Sequence, residues 1–226
     1  MNTSNIANTV KEFYNKNPFP GPYTAQSVKE YTGHNRYISF ISKSITHSRR
    51  VLDAGCGTGF IVNYLAQTYP TKNFTGVDFA DSVDHAVKVK EDLNRPNLKF
   101  IKEDLTRFET NDRYDAVICQ GVLHHIPDYM QTLARLQNML HQGGIFIIGL
   151  YHPWGKKLQR LLPKDYATQT LEIDQERHPY ELSFYSRDVK KMFADYEFID
   201  SHPGILWNWR NGGLTTYVFR KEENNV

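Results

Sequence analysis

Short apolar runs of strand length recur along the chain, separated by segments of helical periodicity. Arg50 to Ala54, Phe74 to Asp78, Leu98 to Ile101, Tyr114 to Cys119 and Ile145 to Tyr151 each read as strands. Between them, Phe60 to Tyr69, Asp81 to Leu93 and Asp128 to His141 carry apolar residues every three or four positions. The last of these sets Tyr129, Leu133, Leu136 and Leu140 on one stripe and is expected to stop at Gly143-Gly144. Strands that are apolar throughout are buried on both faces, and their alternation with helices predicts a parallel sheet. Right-handed crossovers then give a doubly wound α/β fold whose ligands sit at the carboxyl ends of the strands.

Past Tyr151 the alternation breaks. Pro153 to Phe184 reads as irregular, followed by a helix from Ser186 to Phe193 and strands at Tyr196 to Ser201 and Thr215 to Arg220. The loop between those strands, with Gly204, Asn211, Gly212 and Gly213, suits an antiparallel pair. The expected architecture is a seven-stranded, mostly parallel, Rossmann-like sheet with helices on both faces and the last strand antiparallel.

Composition narrows the partners. The 226 residues fit one domain, and 27 basic against 25 acidic residues give a net charge of +2, too little to favour nucleic acid or an anionic membrane. The basic clusters Lys156-Lys157-Gln159-Arg160 and Arg187-Lys190-Lys191 have helical spacing and read as solvated helix faces. Cys56 and Cys119 suggest neither a disulfide scaffold nor a metal site, and a reducing compartment fits them. The polar opening lacks the apolar core of a secretory signal, and no apolar stretch approaches membrane-spanning length, so a cytoplasmic location is expected. Nothing in the composition addresses oligomeric state.

The strongest local signal is Val51-Leu52-Asp53-Ala54-Gly55-Cys56-Gly57-Thr58-Gly59. Glycines directly after an apolar strand permit a tight turn and a close approach of backbone to a ligand, and the following helix aims its N–H groups there. A dinucleotide site would space its glycines G-x-G-x-x-G, whereas Gly55, Gly57 and Gly59 are spaced two and two. Asp78 ends the second strand, where a carboxylate can accept from both hydroxyls of a ribose. Phe79 is placed to pack on an adenine, and Asp104, after the third strand, to accept from an adenine amino group.

With these features the chain resembles the class I S-adenosylmethionine-dependent methyltransferases over roughly Tyr31 to Arg220. VLDAGCGTG is similar to their first motif, and Asp78 and Asp104 to their ribose and adenine acids. Tyr114 to Asp128 is similar to their strand-four motif, and Leu133 to Gly149 to the helix and strand that close the parallel core. The resemblance implies S-adenosylmethionine as cofactor, held by Asp53, Gly55, Cys56, Gly57, Gly59, Asp78, Phe79, Asp104, Leu105, Gln120 and Gly121, with no metal. It implies one domain: an N-terminal lid and helix (1–48), the cofactor core (49–151), an acceptor-side insertion (152–185) and a C-terminal helix and strand pair (186–220).

Three prolines and four aromatics crowd Phe13 to Tyr23, which cannot be one continuous helix. The segment reads either as an apolar strap on the core or as a lid with Tyr14 reaching the cofactor's carboxylate. Its F-Y-x-x-x-P-F-P pattern, together with Gly149-Leu150-Tyr151 before Gly155, is similar to a subset of bacterial methyltransferases. His124 and His125 follow strand four and are candidates for a general base, or for a structural and cofactor-lining role. His152, His178, Tyr180, Tyr185, Trp207 and Trp209 would roof the acceptor pocket. A small-molecule acceptor is expected. The alternatives are a nicotinamide-dependent oxidoreductase, a methyltransferase acting on tRNA or protein, and an inactive cofactor-binding subunit.

Overall fold

The computed structural model describes residues 3–33, 35–161, 180–203 and 213–223. Helices α1 (Thr3–Lys16), α2 (Ala25–Glu30) and α3 (Arg36–Ser44) precede the sheet. The core then runs β1 (Arg50–Ala54), α4 (Phe60–Thr68), β2 (Asn73–Asp78), α5 (Ser82–Asp92), β3 (Leu98–Lys102) and β4 (Tyr114–Gln120). A short 3-10 turn, Leu123–His125, leads to α6 (Tyr129–Asn138), β5 (Leu140–Tyr151) and α7 (Pro153–Leu161). Last come α8 (Ser186–Met192), β6 (Tyr196–His202) and β7 (Leu214–Lys221).

The strands form one seven-stranded sheet in the order β3-β2-β1-β4-β5-β7-β6. Pairing is parallel from β3 to β5, and β7 runs antiparallel to both β5 and β6. The register lines Leu52, Val117, Phe146 and Phe219 up across the sheet, all in one buried cluster. The next row, Asp53, Ile118, Ile147 and Val218, faces the other way, and its apolar members join a second cluster with α3 and α4. Alternate residues thus feed opposite cores, and this two-sided burial explains why the strands read as continuously apolar. The chain winds outward in both directions from β1 and β4, so a crevice opens at their carboxyl ends.

Three expectations are corrected. The helix expected through His141 ends at Asn138, and β5 begins at Leu140, already paired with Tyr114 before a register shift. Gly143 and Gly144 lie inside that strand: Gly143 takes a positive φ, and a Cβ at Gly144 would meet Leu140 and the His141 carbonyl. They permit an irregular strand entry and do not stop a helix. The stretch expected to be irregular opens with α7. Lys156 on α7 is not solvated, because it is buried in an ion pair with Glu181, whereas Arg187, Lys190 and Lys191 are exposed as expected. Gly204, Asn211 and Gly212 lie outside the described residues. Among the described residues no helix is long and apolar enough to cross a membrane.

Candidate active site

β1 delivers Asp53 to the crevice, and the chain turns through three glycines with positive φ: 83° at Gly55, 56° at Gly57 and 76° at Gly59. The turn is tied to β2. Gly55 N and Cys56 N both donate to the Val77 carbonyl (2.7 and 3.1 Å), and Gly57 N donates to Asp78 Oδ2 (2.8 Å). Asp78 Oδ1 accepts from Ala80 N at 2.9 Å, so this carboxylate orders the ends of both strands. A Cβ at Gly57 would strike the Phe19 carbonyl, and one at Gly59 would meet Ala86 and Phe100. Gly57 therefore serves the loop's contact with the N-terminal strap, and Gly59 serves helix packing.

The strap is sealed onto the loop. Thr58 N donates to the Phe19 carbonyl (3.0 Å), and Tyr23 Oη donates to the Thr58 carbonyl (2.8 Å). Buried Asn63 donates in turn to Tyr23 Oη (3.0 Å). Upstream, α1 is fastened by a reciprocal pair: Asn15 Nδ2 donates to Asp81 Oδ2, and Asp81 N donates to Asn15 Oδ1, each at 2.9 Å. Ala7, Val10 and Tyr14 of α1 then form the outer wall of a cavity of about 150 Å³.

The carboxyl residues lining this cavity are Asp53, Asp78 and Asp104, and among the described residues no lysine or arginine lines it. Asp53 is 4% exposed, and burial together with the Asp78 charge pushes its carboxyl up to about 7. Burial also raises Asp78, opposed by the N–H groups of Ala80 and Gly57. Asp104 Oδ1 is engaged by the backbone N–H and hydroxyl of Thr106, both at 2.8 Å. Burial and the same two carboxylates push the Cys56 thiol well up, so it stays protonated and is no nucleophile. Gln120 lies across β5, its amide donating to Thr216 Oγ1 (2.9 Å), in space that a Cβ at Gly149 would fill.

The two histidines separate. His125 lines the cavity, and its Nδ1 lies 2.9 Å from the Tyr180 carbonyl. A carbonyl can only accept, so the neutral ring carries its proton on Nδ1 and its lone pair on Nε2. His124 is fully buried, packed 4.1 Å from the Tyr151 ring, and does not line the cavity.

Of the residues expected in the site, Tyr14, Asp53, Gly55, Cys56, Gly57, Asp78, Phe79, Asp104, Leu105, Gln120, Gly121 and His125 converge on the cavity; Gly59 and His124 stand behind it. Of the expected roof, His152 and Tyr185 pack on each other away from the cavity, and Tyr180 supplies its carbonyl to His125. His178, Trp207 and Trp209 lie outside the described residues. Ala7, Val10, Tyr37, Ser82 and Thr106 line the cavity without having been expected. Ala7, Val10 and Tyr14 stand at helical spacing, a periodicity that marks one face of α1 in the sequence.

A family model described as a methyltransferase domain matches residues 45–195. Malonyl-[acyl-carrier protein] O-methyltransferase of Bacillus anthracis is 26% identical over 160 residues, covering 70% of this chain and 58% of that protein. Probable (S)-tetrahydroprotoberberine N-methyltransferase 2 of Papaver bracteatum is 29% identical over 120 residues, 53% of this chain and 33% of that protein. The chain thus spans about three fifths of the first relative's length and a third of the second's. Among solved structures, the N-methyltransferase NodS of Bradyrhizobium japonicum WM9, in complex with S-adenosylhomocysteine, superposes with TM-score 0.64 at 13% identity, covering 96% of this chain and 100% of that one. The 1,6-didemethyltoxoflavin-N1-methyltransferase of Burkholderia thailandensis gives TM-score 0.66 at 17% identity, covering 99% and 92%. At such identities the likeness is one of fold.

Proposed function

The chain belongs to the S-adenosylmethionine-dependent methyltransferase family, and from that premise we propose that it methylates an oxygen or nitrogen of a small-molecule acceptor by in-line displacement. The observation that carries this reading is the charge of the cavity, which has three aspartates and, among the described residues, no lysine or arginine. A ligand bearing a sulfonium, an ammonium and one carboxylate is a net cation and is attracted into that field, whereas a dinucleotide would bring the two negative charges of its pyrophosphate.

When bound, the cofactor supplies an electrophilic methyl carbon: the acceptor's lone pair forms the new bond while the carbon–sulfur electrons return to sulfur. The chain's part is to bind, orient and exclude water. Asp78 presents a carboxylate at the tip of β2 for ribose hydroxyls, Phe79 a ring for the adenine, and Asp104 an acceptor for its amino group. Asp53, Gln120 and the backbone of Gly55, Cys56, Gly57 and Gly121 hold the remainder, with Leu105 packing beside Asp104. Tyr14 and α1 cover the site against solvent. His125 takes the acceptor's proton on Nε2, a role His124 cannot share from its place behind the cavity.

Among the described residues the segments divide the work within one domain: 3–33 and 35–48 close the cofactor site, 49–151 bind, 152–161 and 180–185 flank the His124-His125 turn, and 186–203 with 213–220 complete the sheet. The two cysteines are free and buried, which supports a cytoplasmic setting. The test is incubation with S-adenosylmethionine and a panel of small amines, phenols and carboxylic acids, read by mass spectrometry. Methyl gain on one class with release of S-adenosylhomocysteine is expected. Methylation of tRNA or protein in place of every small acceptor would overturn the proposal.

A further inference from the structure

Residues 180–184 run past the His124-His125 turn and are fastened to it and to β5. The Tyr180 carbonyl accepts from His125 Nδ1 (2.9 Å), Leu182 N donates to the His124 carbonyl (2.8 Å), and Phe184 N donates to the Tyr151 carbonyl (2.8 Å). Between the first two, Glu181 Oε2 pairs with Lys156 Nζ at 3.0 Å, the side chains only 19% and 10% exposed. Lys156 Nζ also lies 3.9 Å from the centre of the Tyr151 ring, which packs on His124, which packs on His125. Gly213 packs against the start of α7 beside this cluster, where a Cβ would meet the Lys156 main-chain nitrogen.

A buried ion pair gives little net stability, because desolvation offsets much of the attraction. Its best-attested use is to fix the register of one segment against another. Here the main-chain bonds secure Leu182 and Phe184, while the ion pair stands next to Tyr180, the residue whose carbonyl meets the histidine. We propose that Lys156 and Glu181 are positioning residues for His125: their ion pair holds the Tyr180 carbonyl where it keeps the imidazole proton on Nδ1 and the lone pair on Nε2. Neither residue lines the cavity, so they act through the histidine's tautomer. The functional meaning of that tautomer rests on the methyl-transfer reading above, but its existence does not.

The test is nitrogen NMR of the full chain labelled at histidine, with the His125 signals assigned by their loss in His125→Gln. The wild type should show the proton on Nδ1; a proton on Nε2 would overturn the proposal. Removing both charges in Lys156→Met/Glu181→Leu should raise the Nε2–H form roughly tenfold, about the worth of one hydrogen bond. A folded double variant, with S-adenosylhomocysteine affinity equal to wild type, whose Nε2–H fraction is no higher than in wild type overturns it. Should the double variant fail to fold, the isosteric Glu181→Gln carries the same readout and the same overturning result. If wild-type chain does not bind S-adenosylhomocysteine, the methyl-transfer reading fails while the tautomer result stands, so the two failures are distinguishable.

Discussion

The two ends of the β1–β4–β5 edge are built differently. At the glycine-loop end, one continuous strand and turn, Val51 to Gly59, supplies the backbone, and the carboxylates stand within β1 (Asp53), at the last residue of β2 (Asp78) and just past β3 (Asp104). Around the His124-His125 turn every key contact joins residues far apart in sequence: His125 with Tyr180, Lys156 with Glu181, Leu182 with His124. A site made from consecutive backbone is encoded locally and breaks at single positions. A site made from crossing segments is encoded in the tertiary fold, and its parts fail together.

That contrast breaks most sharply at Gly57. Valine there forces a side chain into a left-handed conformation and against the Phe19 carbonyl, so S-adenosylhomocysteine affinity should fall by more than about 3 kcal/mol, over a hundredfold, by calorimetry. Unchanged affinity would remove the glycine loop from the site. On the other side, His125→Ala should cost about a hundredfold in turnover of the acceptor identified by the panel, with cofactor affinity kept. Normal turnover would leave the base unassigned. Asp78→Ala should weaken cofactor binding by about 1.5–3 kcal/mol. Asp78→Asn should lose nearly as much, because its amide N–H₂ would face the N–H of Gly57 or Ala80; a fully active Asn variant would show that neither bond matters.

The pH dependence follows from Asp53, held near 7 against 3.8 for a free side chain. With the folded value raised, its contribution to stability of the ligand-free chain is complete at about pH 3.8 and below, and is lost as pH rises through about 7. A cationic ligand favours the ionised form. S-adenosylmethionine binding should therefore release a proton near pH 7 and tighten several-fold from about pH 6 to about pH 7.5. Calorimetry in two buffers of different ionisation enthalpy reads this directly, and zero proton release at pH 7 would show that Asp53 does not sense the ligand's charge. The smallest effect belongs to Asn15→Ala. Its exposed reciprocal pair with Asp81 is worth about 0.5–1.5 kcal/mol, to appear as faster cofactor release in stopped flow with a fall in melting of no more than a few degrees. An unchanged release rate would mean that α1 does not gate the site.

The same division sets what the sequence could disclose. The strands were legible because two-sided burial leaves continuous apolar runs, and the glycine loop because positive φ after a strand selects glycine. The entry to β5 was misplaced because Leu140 continues the helical stripe of α6 while pairing with Tyr114; periodicity cannot separate the two where they overlap. Lys156 reads as solvated because a basic helix position usually is, and nothing near it in the chain reveals Glu181. His124 and His125 look alike in sequence and both are buried; the turn at Leu123–His125 sets one at the cavity and the other behind it.

The central claim is that an S-adenosyl amino acid, and no dinucleotide, lies across the tips of β1, β2, β3 and β4. Parallel calorimetric titrations of the wild-type chain with S-adenosylhomocysteine and with NAD test it most directly. The account predicts saturable binding of S-adenosylhomocysteine, in about the micromolar range, and no heat from NAD. Saturable NAD binding with S-adenosylhomocysteine silent would contradict it.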